Sequence, residues 1–327
     1  MTAAIPFFDD LAEAVGIICS AATHLEEPDS VEWLLLQIYH GKARGIQASA
    51  LPPHTRILPA SDQRALPAAK NGALHAASAD LVLFLSPPLL PLPGSLELMQ
   101  SQLRSHREWC GICGLWRNAR GEVEKGYNVR SFPSRLALFY DLLLINKLWP
   151  ANAATRSYKM HDFDHQTARP VEHALDYALL VRKDVLLSLG GFDEGYRFGW
   201  FDQVDLCHKA QKAGFPFWYD PAAGFHSSER EPLLDRLLAV HYSDFYADQQ
   251  RYVSLHFGST AVIMYRMVLS AGLVLRLAFA SILTLRIRKK LLATYRSYVD
   301  DDYIQSMKRS YRATLRSTVF GSLRRRA

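Results

Sequence analysis

Apolar positions along the chain fall into two patterns: short continuous runs, and segments in which they recur at helical spacing. Val15–Cys19 reads as an apolar strand, and 31–39 reads as a helix opened by Pro28-Asp29-Ser30. Thr55–Leu58 predicts a short strand, and an Ala-rich helix follows over 66–79, starting near Pro67. Asp80–Leu85 is a continuous apolar run of the kind found in central parallel strands. Strands separated by helical stretches predict βαβ units and an open parallel sheet. Ligands in such sheets bind beyond the carboxyl ends of strands, so the turn after Leu85 is the first candidate site.

That turn, Ser86 to Gly94, leads into a helix over 95–106 with Ser95 as N-cap. A strand over 110–116 and a tight turn at 118–121 come next, then one helix over 134–149 within otherwise irregular chain. Ala178–Val181 predicts a strand, 183–189 a short helix closed by Gly190-Gly191, and 203–213 a further helix ending at Gly214. Phe215–Tyr219 reads as an edge strand, because Pro216 cannot donate to a ladder. Ile46–Ala50 is a candidate strand that ends without a carboxylate.

The last apolar stretch, 261–285, is interrupted by Arg266 and Arg276 and closed by Arg286, so its uncharged runs reach nine residues. A spanning helix needs about 20. An arginine near the middle of a span costs about 2.5–3.5 kcal/mol on insertion scales. The pattern predicts a helix lying in a membrane surface, with Arg286 to Lys290 and Arg324 to Arg326 facing anionic headgroups. A helical hairpin packed on the body, with a solvated basic face, fits the same pattern.

Charge follows this division. From Ala261 onward there are 14 basic and 3 acidic residues, against 24 and 29 in residues 1–260. The excess of cations therefore concerns what the tail touches, and with no recognition motif beside it nucleic acid is not expected. A 49% hydrophobic, 21% charged composition excludes disorder for most of the 327 residues. Four cysteines make no disulfide framework; Cys110 and Cys113 form a CxxC that reads as two core thiols in a buried strand. The first residues contain no basic segment or cleavage-like site, so the expected setting is cytoplasmic.

Chemistry-bearing residues cluster between 158 and 226. Tyr158 to His165, Val171-Glu172, Leu179 to Lys183, Gly190 to Glu194, Phe201 to Cys207, Lys212 to Gly214 and Pro221 to His226 occur in one order, preceded by Asn71-Gly72, Ala77 and Leu85 to Pro88. Over roughly residues 55–230 this series resembles glycosyltransferase family 2, in its bacterial rhamnosyltransferase-like branch. The resemblance implies an α/β, GT-A-like fold with a mostly parallel sheet flanked by helices, spanning about 1–258. A basic, membrane-associating helical segment would make up 259–327.

The activity implied is inverting transfer of a sugar, such as the deoxyhexose rhamnose, from a nucleotide-diphosphate donor to a lipid-linked or cell-surface glycan. This would take place peripherally on the inner face of the cell membrane. The resemblance gives Asp202 as general base, with a helix N-cap as its other role. Asn71, Ser86, Arg182 and His226 are expected on the donor side, and Asp193, Glu194, Trp200 and Phe201 beside the acceptor. The sequence departs from the family in four places: Ser86-Pro87-Pro88 lacks the carboxylate that holds Mg²⁺ or Mn²⁺, Gln203 replaces a second acid, Asp176 stands where glycine is usual, and the N-terminal nucleotide-binding segment is absent. No cofactor is therefore assigned, and basic side chains or backbone amides would neutralise the diphosphate. A non-catalytic relative that binds a glycan or partner is the alternative.

Overall fold

The computed structural model describes residues 1–7, 11–25, 27, 30–38, 51–59, 66–123, 126–227, 233–286 and 301–320. The candidate strand at 46–50 and the basic clusters at 287–290 and 324–326 lie outside them. Two compact units emerge: residues 1–132 with 157–233, and 133–156 with 234–327. The expected boundary at 258 therefore falls inside the second unit.

The first unit is built on one sheet whose nine strands run β3-β2-β1-β4-β10-β6-β11-β5, with β8 also paired to β11. Its left half is β1 (Thr2–Phe7), β2 (Glu32–Gln37), β3 (Thr55–Leu58) and β4 (Leu81–Leu85), all parallel. Beyond β4 the antiparallel β10 (Ala178–Arg182) is inserted, and beyond it β6 (Gly111–Arg117) and β11 (Phe217–Ser227) resume the first direction. β5 (Leu89–Pro91) and β8 (Arg169–Val171) pair antiparallel to β11. A two-stranded ribbon joins β7 (Val129–Arg130) to β9 (His173–Ala174). Helices α1 (Leu11–Ala22), α2 (Leu66–Ala76), α3 (Ser95–Ser105), α7 (Lys183–Ser188) and α8 (Phe201–Lys212) belong to this unit. Its core joins Leu34, Val82, Phe84, Leu179, Phe192 and Leu206.

Two predicted elements are reversed. The run at 15–19 lies within α1, because Leu11, Ala14, Val15, Ile18 and Ala21 are buried at helical spacing. Residues 32–37, expected to be helical, are strand β2, whose Trp33 to Leu36 are all buried in the sheet. A short all-apolar run does not distinguish a buried strand from a helix. Phe217 onward is not an edge strand, since β11 is paired on both sides, and Pro216 lies just before it. Ser95 is not an N-cap. Gly94 holds that position at φ 76°, and the Ser95 hydroxyl instead accepts a hydrogen bond from Gly224 N at 3.0 Å.

The second unit is helical: α4 (Arg135–Leu142), α5 (Ile145–Leu148), most of α6 (Ala153–Tyr158), α9 (Leu233–Phe257), α10 (Ser259–Arg286) and α11 (Asp301–Phe320). Ser134 caps α4, its hydroxyl accepting from Ala137 N at 3.1 Å. The expected single helix over 134–149 divides at Leu144, which has φ 62°. Arg276 of α10 donates to the carbonyls of Asp141 (2.8 Å) and Leu142, filling acceptors that the C-terminus of α4 leaves open. Arg266 donates to Gln250 at 3.1 Å. The two arginines that interrupt the apolar stretch in sequence are thus engaged by neighbouring helices.

Candidate active site

The carboxyl edge of β4 becomes a site because β10 runs the other way beside it. With Ala178 opposite Leu85, the chain entering β10 passes that edge, where Ser86 N donates to Tyr177 O at 2.8 Å and Ser86 Oγ to Asp176 O at 3.4 Å. Helices α2 and α8 bring charge to the same place. Lys70 Nζ lies 3.0 Å from Asp202 Oδ2 and also pairs with Asp176, with the Phe192 ring centroid 4.7 Å away. All three groups are buried: Lys70 is 3%, Asp176 7% and Asp202 0% exposed. A buried ammonium is tolerated only when paired, and here Lys70 has two carboxylate partners.

The electrostatics follow from that arrangement. Burial alone would lower the Lys70 pKa, but Asp176 and Asp202 outweigh it and raise the pKa, so Lys70 stays charged. Burial raises the Asp202 pKa and Asp176 adds to the effect, with Lys70 opposing. Gln203 grips the backbone beside them: its Oε1 accepts from Asp176 N at 3.0 Å, and its Nε2 donates to Ala174 O. Two departures from the family pattern, Asp176 and Gln203, therefore meet in one constellation with Lys70. Lys70 was missed from sequence, although it stands on the apolar stripe Leu66-Lys70-Ala73-Leu74 of α2, where a charge is out of place.

A second buried cation lies near. Arg130 has its Cζ 4.4 Å from the Trp200 ring, 5.2 Å from Tyr158 and 5.5 Å from Tyr127, and its Nε donates to Gly126 O at 2.5 Å. His173, opposite Arg130 in the ribbon, packs edge-on to Trp200 at 5.9 Å; burial and the guanidinium push its pKa down to about 3, so it is neutral. Nothing in the sequence pattern marks Arg130 or His173, since a two-residue strand has no readable period.

The remaining predicted residues divide. Asn71 brackets Phe192, donating to its carbonyl and accepting from its N–H, both at 2.9 Å, and donates to Glu194 Oε1 at 2.8 Å. An expected donor-side residue and an expected acceptor-side residue are thus bonded to each other. Asp193 Oδ1 accepts from Gly195 N at 2.8 Å, closing the same turn. His226 lies at the carboxyl end of β11, opposite Leu90 and Arg117. Arg182 does not belong with this group. Because β10 is antiparallel, Arg182 pairs with Leu81 at the far edge of the sheet, and its guanidinium caps α3 through the carbonyls of Leu103 and His106.

Trp200 and Phe201 are buried rather than open walls, and Asp202 is no N-cap, since Trp200 occupies that position without a side-chain cap. Asp205 pairs with Lys209 at 2.8 Å. Burial pushes the Cys110 and Cys113 thiols up to about 12, as befits core groups.

The fold is that of GT-A glycosyltransferases. A solved structure of GalNAc-T7 with UDP, GalNAc and Mn²⁺ superposes with a TM-score of 0.54 at 11% identity, covering 81% of this chain and 53% of that one. In sequence, the chain is 31% identical over 175 residues to N-acetylglucosaminyl-diphospho-decaprenol L-rhamnosyltransferases from two Mycobacterium tuberculosis strains, CDC 1551 / Oshkosh and ATCC 25618 / H37Rv. The match covers 51% of this chain and 54% of theirs, so the chain spans about half the length of the curated relatives it matches. No family model matches the chain.

The divalent cation that the fold family implies does not fit the described residues. Ser86-Pro87-Pro88 supplies no carboxylate, the carboxylates of Asp176 and Asp202 are held by Lys70, and no group of three His, Cys, Asp or Glu is placed to hold a metal among the described residues.

Proposed function

We propose that this chain is an inverting glycosyltransferase that moves a deoxyhexose such as rhamnose from a nucleotide-diphosphate donor to a polyprenyl-diphosphate-linked N-acetylglucosamine at the inner face of the cell membrane. What supports the reading is the meeting of Lys70, Asp176, Asp202 and Gln203 at the carboxyl edge of β4 in a GT-A fold, together with the likeness to the rhamnosyltransferases. In the transfer step the acceptor oxygen bonds to the anomeric carbon while the bond from that carbon to the diphosphate breaks on the opposite face. The nucleoside diphosphate leaves, and Asp202 receives the hydroxyl proton. Ser86 and His226 border the donor, and the turn pinned by Asn71, Asp193 and Glu194 borders the acceptor. Lys70 opposes the rise in the Asp202 pKa that burial and Asp176 cause, and so favours the carboxylate form that a base needs.

A second reading, a glycan- or partner-binding module without catalysis, is favoured by one observation: the Asp202 carboxylate is fully buried against Lys70. The two readings separate when the purified chain is incubated with a panel of nucleotide-diphospho-sugars and the lipid-linked acceptor, with and without Mg²⁺ or Mn²⁺. Transfer from one donor, lost in Asp202→Asn, is the outcome expected of the enzyme. Thermal stabilisation by a glycan without turnover from any donor is the outcome of the binding module.

A further inference from the structure

Helix α10 is inside out. Between 261 and 279 its exposed positions are all apolar, and among them Ile263 and Met267 are each 62% exposed, Val274 55% and Phe279 50%. The opposite side carries its polar groups. Tyr265 donates to Gln249 Oε1 at 2.7 Å, Arg266 binds Gln250, and Arg276 binds the α4 carbonyls. The same unit exposes Leu148 (76%) and Trp149 (61%) at the end of α5. An exposed, continuous apolar stripe on a helix marks a surface that something other than water covers.

Charge on the page points to the occupant. The stretch 259–286 contains arginines but no acidic residue, and it runs directly into Arg288, Lys289 and Lys290. An apolar stripe followed by a cationic cluster is complementary to a bilayer with anionic headgroups. Residues 259–279 are also long and apolar enough to cross a membrane. Yet α10 packs with α9 and α11, which carry Asp244, Asp248, Arg251, Lys308, Arg309 and Arg312, and these charges cannot accompany it into hydrocarbon.

We propose that the outer face of α10 docks in the plane of an anionic bilayer, with its apolar stripe among the acyl chains and its polar side held by the helical unit, and that the helix does not span. This deepens the membrane-side placement proposed above but is independent of the chemistry, because vesicles without acceptor test it alone.

The test is co-sedimentation of the full chain with vesicles of phosphatidylglycerol and phosphatidylcholine, compared with the Met267→Glu/Val274→Glu double variant. Both positions are exposed, so the variant should unfold at the wild-type temperature. Two carboxylates on the stripe should weaken binding at least about tenfold. An alkaline carbonate wash should release the wild-type chain from the vesicles. Equal binding by the variant, or no binding by the wild type, would overturn lipid as the occupant. A wild-type dimer that the substitutions dissociate would assign the face to a second copy instead. Resistance to the carbonate wash would overturn the in-plane orientation.

Discussion

Lys70 links two carboxylates that would otherwise be buried without compensation, so stability and activity should respond differently around it. Lys70→Met should destabilise the fold by about 3–5 kcal/mol, measured by chemical denaturation. Adding Asp176→Asn and Asp202→Asn should recover most of that loss. Asp202→Asn alone should leave stability unchanged or raise it, because burial already raises that carboxyl's pKa and its ionised form opposes folding. On the enzyme reading the same variant should lower turnover at least about a hundredfold. Glu32 gives the opposite sign. Hydrogen bonds from Ser78, Thr2 and Arg56 overcome burial and hold its pKa at about 2, below the ordinary 4.5. Its contribution is present above pH 4.5 and lost as pH falls toward 2, with a slope of up to about 1.4 kcal/mol per pH unit. Denaturation of Glu32→Gln across that window should show a shallower dependence. At this scale the sequence offered Asp202 as a base and Asn71 as a donor-side residue only through resemblance. The meeting of Asp176, Gln203 and Lys70 was hidden because it depends on three elements distant in the chain.

Elements were legible where a run had only one way to be buried. β4, β6 and β10 lie close to where the apolar runs placed them, as does α8, which closes at Lys212 just before the predicted Gly214. α1 and β2 were exchanged because a short apolar run fits both states, and the burial that decides between them comes from neighbours the sequence does not display. The direction of β10 was equally invisible, and it alone moves Arg182 from the predicted site to the far edge of the sheet. The turn after α7 is a sharper case. Gly191 has φ 69°, and a Cβ there would lie 2.6 Å from Asn71 Oδ1. Gly191→Ala should cost about 1–3 kcal/mol from backbone strain and displace the Asn71 bracket around Phe192. Thermal unfolding measures the first effect. Asn71→Ala in the same background should add little, because the bracket is already broken.

For the whole molecule, the second unit is not a tail. It takes in residues 133–156 from the middle of the chain, and Arg276 closes carbonyls of α4 that belong to that inserted stretch. A chain ending at Gly258 should therefore leave α4 without its cap and should express as insoluble protein or unfold well below the full chain. Scanning calorimetry of the two would show it. The backbone crosses between the units at 132/133, 156/157 and 233/234, so a single proteolytic nick at any crossing leaves them tethered. A recombination event could not append or exchange the helical unit by joining gene ends. An engineered chimera that joins a different α/β unit to this helical one has to carry residues 133–156 with it.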